Sequence, residues 1–104
     1  MALIAVEVVT PERQVWSGPA EMVIARGAEG ELGVLPHHAP LITFLVDGPL
    51  RIRRPGAGEL VIGTRGGFLE VKPDRITVLA SEAELPEGVT MAEDGGGDAS
   101  VVER

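Results

Sequence analysis

Short bursts of alternating apolar and polar residues recur along the chain. Leu50-Arg51-Ile52-Arg53 and Phe68-Leu69-Glu70-Val71-Lys72 alternate with period two, the signature of a strand with one buried face. Leu3 to Val9 is rich in branched residues, with Glu7 facing away from Val6 and Val8, and also predicts a strand. Thr10 to Arg13 is a turn. Gln14 to Ser17 resumes extended structure, and Gly18-Pro19 predicts a bulge or bend. Ala20 to Ala25 is a third extended run whose alternation is too imperfect to assign faces. Leu41 to Val46 is apolar nearly throughout, which predicts a strand covered on both faces. Asp47-Gly48 predicts a two-residue hairpin turn. Glu59 to Gly63 is a strand, and Thr64 to Gly67 bends it. Pro73-Asp74 suits a type I turn, and Arg75 to Ala80 closes the pattern. Residues 1–85 hold about eight to ten such strands and no helical period, which predicts an all-β sandwich or flattened barrel. Sheet order does not follow from this pattern.

One segment breaks the rhythm. Gly27 to Thr43 carries three of the fourteen glycines, two of the eight prolines and both histidines. Glycine permits positive φ and proline fixes φ, so backbone geometry sets the path here. The expectation is a shaped loop with a short strand from Leu32 to Leu35, then a turn bearing His37 and His38.

Composition narrows the reading. At 104 residues the chain is one domain. It has no cysteine, so disulfides and thiolate metal sites are excluded. No stretch nears the ~20 apolar residues of a membrane helix, and the N-terminus lacks the basic head of a signal peptide. The net charge of −7 is uneven. Residues 1–81 hold eight Lys/Arg against nine Asp/Glu, a net of −1; residues 82–104 hold one Arg against seven acids, a net of −6. The expectation is a sandwich domain over 1–85 and an acidic, glycine-rich, mostly disordered tail over 86–104. An acidic chain without a basic face is a poor partner for nucleic acid.

Candidate chemistry is sparse. His37, His38 and Glu31 could in principle ligate zinc or iron, but adjacent histidines share a face only in a turn. Glu29, Glu31, Glu70 and Asp74 look like solvated positions, and no serine stands in a nucleophile motif. Gly63 to Gly67 lacks the phosphate-loop pattern. Arg51, Arg53 and Arg54 form the one basic cluster, which could receive an acidic partner or the chain's own tail and by default reads as a solvated outer strand face. The apolar run 41–46 and the first strand exceed what one small core needs, and a sheet face left apolar would be an interface. No catalytic residue, metal site or cofactor is expected; an enzyme or ligand-binding module using the His37/His38 loop is the alternative.

The motifs carry a resemblance. Glu29-Gly30-Glu31-Leu32-Gly33-Val34-Leu35-Pro36 followed by His38-Ala39-Pro40-Leu41 resembles the signature E-G-E-[LF]-G-[IV]-x-P-x-H-A-P-L of the epsilon subunits of F-type ATP synthases. Val8 to Glu12, Trp16-Ser17-Gly18, Gly48 to Ile52, and Gly66 to Val71 with Val78-Leu79-Ala80 follow that family's pattern in the same order. The resemblance implies a ten-stranded sandwich in a non-catalytic central-stalk rotor subunit of a proton-translocating synthase. It implies the gamma subunit and the membrane c-ring as partners, at the cytoplasmic face of the cell membrane, peripheral to it. Glu31 and His38 would face the c-ring, and Thr10, Thr43 and Pro49 the gamma subunit. Members of the family usually continue into an inhibitory helical hairpin. The nineteen residues after Leu85 are acidic and glycine-rich and do not predict one.

Overall fold

Period-two alternation becomes two stacked layers in the computed structural model, which describes residues 2–86. The strands are β1 (Ile4–Val9), β2 (Gln14–Ala20), β3 (Met22–Gly27), β4 (Gly30–Val34), β5 (Leu41–Phe44), β6 (Gly48–Arg54), β7 (Gly58–Arg65), β8 (Phe68–Lys72), β9 (Arg75–Leu79) and β10 (Glu82–Glu84). They form two five-stranded sheets, ordered β2-β1-β9-β8-β5 and β10-β7-β6-β3-β4. The all-β sandwich is as expected, with no helix among the described residues. Of the tail predicted over 86–104, residues 87–104 lie outside them.

Every neighbouring pair is antiparallel except one. β1 lies parallel to β9, pairing Ala5 with Arg75 through Val9 with Leu79. Nearly the whole sandwich is threaded between these two central strands of the first sheet.

Except in β2, the core is supplied by one parity of each strand. Val6 and Val8, Leu69 and Val71, and Ile76 and Val78 point inward from the first sheet; Val23, Leu50, Ile52, Leu60 and Ile62 meet them from the second. Each such side chain contributes roughly 1.5–3 kcal/mol of transfer free energy on full burial. Clean alternation in β6 and β8 puts Leu50, Ile52, Leu69 and Val71 inside, as the sequence predicts. In β3 the inward residues are Val23 and Ala25.

Four local expectations are corrected. Asp47-Gly48 is not a hairpin turn, because β5 and β6 belong to different sheets. At that crossing the Ala28 N–H donates to the Phe44 carbonyl (2.9 Å) and the Val46 N–H to the Arg26 carbonyl (3.1 Å), so the passing chain is tied to the β3–β4 hairpin. An Asp-Gly pair signals a sharp turn, not which sheet the next strand joins.

The run 41–46 is not covered on both faces: Ile42 is 67% exposed and Phe44 70%. β5 is an edge strand of a sheet with a second layer on one side only. Gly18-Pro19 does not interrupt β2, which runs to Ala20. Pro19 is tolerated because β2 is an edge strand. The irregularity comes earlier: Val8 pairs with Trp16 but Val9 with Gln14. Val15 is therefore the extra residue, and both Val15 and Trp16 are buried. Finally, the strand expected at Leu32 to Leu35 begins at Gly30 and ends at Val34, closing a hairpin with β3 through Ala28-Glu29.

Candidate interaction surfaces

Glu31 lies on β4, the edge strand of the second sheet, and His38 in the connection that leads from β4 to β5 of the other sheet. Glu31 is exposed and stands opposite Arg26 across the β3–β4 pair. His38 follows the other end of β4, in a turn closed by its own N–H on the Leu35 carbonyl (3.1 Å). Pro36 and His37 are the central residues of that turn. Proline first and positive φ second is the type II arrangement, and His37 has φ of 70°. The His38 Nδ1 lies 2.7 Å from the Ala39 carbonyl oxygen. Glu31 thus sits on the edge strand itself and His38 on the loop that leaves it.

The other three predicted positions do not share a plane. Thr10 is only 7% exposed; its N–H (2.9 Å) and hydroxyl (3.3 Å) both donate to the Arg13 carbonyl, closing the β1–β2 turn. Thr43 pairs with Leu69 and turns toward the inner side, its hydroxyl 3.4 Å from the Phe44 carbonyl oxygen. Pro49 is exposed on the outer side of the second sheet, across from Gly63. A partner touching all three would have to wrap round one end of the sandwich.

The two outer faces differ in character. On the second sheet, charges alternate across strands: Arg26 opposes Glu31, Arg51 meets Glu59 at 3.2 Å, and Arg65 meets Glu82 at 3.4 Å. Such exposed pairs contribute about 0–1 kcal/mol each and keep a surface solvated. Within the basic cluster, Arg51 pairs with Glu59 and the Arg54 guanidinium donates to the Ala57 carbonyl at 2.8 Å, while Arg53 is exposed. Among the described residues no three His, Asp or Glu side chains converge in a metal-binding group.

The first sheet is apolar at one end of its outer face. Register places Phe44 beside Phe68, Phe68 beside Leu79, and Leu79 beside Val9. This row crosses four strands, with Ile42 next to it on β5. The surplus of apolar residues in 41–46 and the first strand points to such a face, but Phe68 and Leu79 were missed because outward apolar positions on alternating strands look like core. The signal was that both parities of 41–46 are apolar, more than a one-sided strand needs.

The described surface thus carries an apolar row on the first sheet and cross-strand charge pairs on the second, with Leu35 exposed between Glu31 and His38. Residues 3–86 match the family model of the ATP synthase delta/epsilon chain β-sandwich domain, and the chain belongs to that family. Similar curated proteins are the ATP synthase epsilon chains of Brevibacillus brevis (55% identical over 86 residues, 83% of this chain and 65% of the relative) and Laribacter hongkongensis (54% over 84 residues, 80% and 60%). The chain therefore spans less than two thirds of the length of these relatives. Among solved structures, a chain of the Euglena gracilis mitochondrial ATP synthase superposes with a TM-score of 0.77 at 24% identity, covering 86% of this chain and 57% of that one. A chain from the central stalk and c-ring of the Tetrahymena thermophila enzyme gives 0.63 at 18% identity, covering 77% and 64%. At these identities the structural likeness establishes the fold alone.

Proposed function

We propose that this chain is the sandwich domain of a non-catalytic central-stalk rotor subunit, the epsilon chain of a proton-translocating ATP synthase. It joins the gamma subunit to the membrane c-ring and sits peripherally at the cytoplasmic face of the membrane. The observation that carries this reading is the unbroken family match over residues 3–86, which takes in every strand of the sandwich. In this role the β4 rim faces the ring through Glu31 and His38, and the end of the sandwich bearing Thr10, Thr43 and Pro49 lies toward gamma. A rim charge such as Glu31 contributes only about 0–1 kcal/mol by itself, so seating on the ring depends on contacts repeated around it.

The test is calorimetry of the purified chain with the gamma subunit from the same organism. Saturable one-to-one binding supports the reading. Absence of binding to a demonstrably folded gamma subunit overturns it.

A further inference from the structure

We infer that the arginine end of β6 is the seat of the chain's own acidic segment, residues 87–104, held there by charge and released by salt. The inference is independent of the stalk reading above.

Alternation in β6 puts Leu50 and Ile52 inside and Arg51 and Arg53 on the outer face. Register sets Glu59 directly across from Arg53, yet that carboxylate lies 3.2 Å from the Arg51 guanidinium. On its other side Arg53 stands beside Met22. Arg53 is exposed and has no ion pair among the described residues. Next to it, the Arg54 guanidinium is fixed at the β6–β7 turn by donating to the Ala57 and Gly58 carbonyls. The other arginines of this face already meet acids: Arg26 stands opposite Glu31, and Arg65 lies 3.4 Å from Glu82. The second sheet therefore keeps surplus positive charge at Arg53, at one end of its outer face.

The path of the chain selects the occupant. β10 runs antiparallel to β7, from Glu82 beside Arg65 to Glu84 beside Gly63. It therefore heads for the Gly58 end of β7, where Arg53 and Arg54 lie. Leu85 packs against the core and fixes the point of departure. Among the described residues no strand lies beside Gly58 to Ile62 on that side, because β10 pairs only with Gly63 to Arg65. Glu93 and Asp94 follow Glu84 closely enough to reach about 30 Å along an extended chain, whereas Arg53 lies two strands across and four residues down, about 16 Å away. Residues 87–104 carry five acids against one arginine, so charge draws them to this end. A tether this short supplies an effective concentration of about millimolar. Exposed ion pairs are individually weak and screened by salt, which makes the contact a salt-sensitive one. While it holds, an acidic stretch of another protein has to displace this segment to reach Arg53.

The chain has no cysteine, so Ala92→Cys in the full chain takes a single nitroxide label beside Glu93 and Asp94. In low salt the amide NMR signals of residues 53–59 should fall to about half their intensity or less relative to the reduced label, and should recover in about 1 M salt, where the Debye length is about 3 Å. Arg53→Glu should abolish the loss. Adding Glu93→Lys and Asp94→Lys to that variant should restore it, because the charges are then exchanged. Lys72→Glu, on the other sheet, should leave the loss unchanged. The dispersion of the sandwich amide signals establishes that each variant is folded. Full intensity at residues 53–59 in low salt means that no contact forms, and overturns the inference. A loss that survives Arg53→Glu or about 1 M salt means that charge does not hold the segment there, and overturns it too. So does an equal loss when label and isotope are on different copies, which would assign the arginine end to a second chain. Each of these outcomes leaves the gamma calorimetry, and with it the stalk reading, untouched.

Discussion

Phe44 and Phe68 face each other across the β5–β8 pair with ring centroids 6.4 Å apart and planes inclined at 80°, an edge-to-face contact on the solvent side of the sheet. Such a pair is worth about 0.5–1.5 kcal/mol beyond area burial. With Phe44 70% exposed, Phe44→Ser should cost the isolated domain no more than about 1.5 kcal/mol. Leu69→Ala, one residue along β8 but inside the core, should cost about 2–5 kcal/mol. Urea titrations of both variants check the contrast. Equal losses would mean the aromatic pair is part of the folding core.

Trp16 is the single tryptophan, fully buried, and its indole N–H has no hydrogen-bond partner among the described residues. A buried donor left unpaired costs about 1–3 kcal/mol. Replacing it by phenylalanine removes that cost along with some volume, so Trp16→Phe should be far milder than Trp16→Ala, which should lose about 3–5 kcal/mol. Thermal melts followed by circular dichroism compare them. If Trp16→Phe is as damaging as Trp16→Ala, the indole N–H has a partner after all.

Gly67 marks where the chain passes from the second sheet back to the first. Its carbonyl accepts from the Leu45 N–H at 2.9 Å, while a side chain there would strike the β9 backbone. Gly67→Ala should lower the melting temperature sharply, by more than the roughly 1 kcal/mol that unfavourable φ alone costs. Gly56→Ala isolates that φ effect, since Gly56 also has positive φ, +69°, but open space around it. The difference between the two melts reads the collision itself.

The turn at His37 gives a fourth test. Its φ of 70° suits glycine or asparagine and penalises β-branched residues. His37→Gly should leave stability nearly unchanged, relief of strain offsetting the added freedom of the unfolded chain. His37→Val should lose about 1–2 kcal/mol. Chemical denaturation measures both, and an unaffected valine variant would mean the turn has another shape.

Much of this was legible because it is local. The inward set of β6 and β8 follows from period two at Leu50, Ile52, Leu69 and Val71. Pairing is not local. Nothing in Ile4 to Val9 announces a parallel partner some seventy residues away, nor does Asp47-Gly48 reveal that the chain changes layers there. Thr10 looked like an ordinary turn residue, yet it is buried and donates to the Arg13 carbonyl. Glu31 and His38 were picked out by motif, and the fold shows why physics alone would pass over them: both occupy a solvated rim with no buried charge to mark it.

The parallel pairing of β1 with β9 has a consequence for biosynthesis. β1 and β2 can form a hairpin as soon as about twenty residues have emerged, but β1 stays open on its other side until residues 75–79 are made. The first sheet then closes in one late event across almost the full length of the domain, the long-range kind of contact that slows folding. Until then the growing chain carries an unpaired strand edge beside branched residues, a hazard for misassociation on crowded ribosomes. The β3–β4 and β6–β7 hairpins of the second sheet need no such wait, so that layer is complete but for its last short strand while the other is still being synthesised.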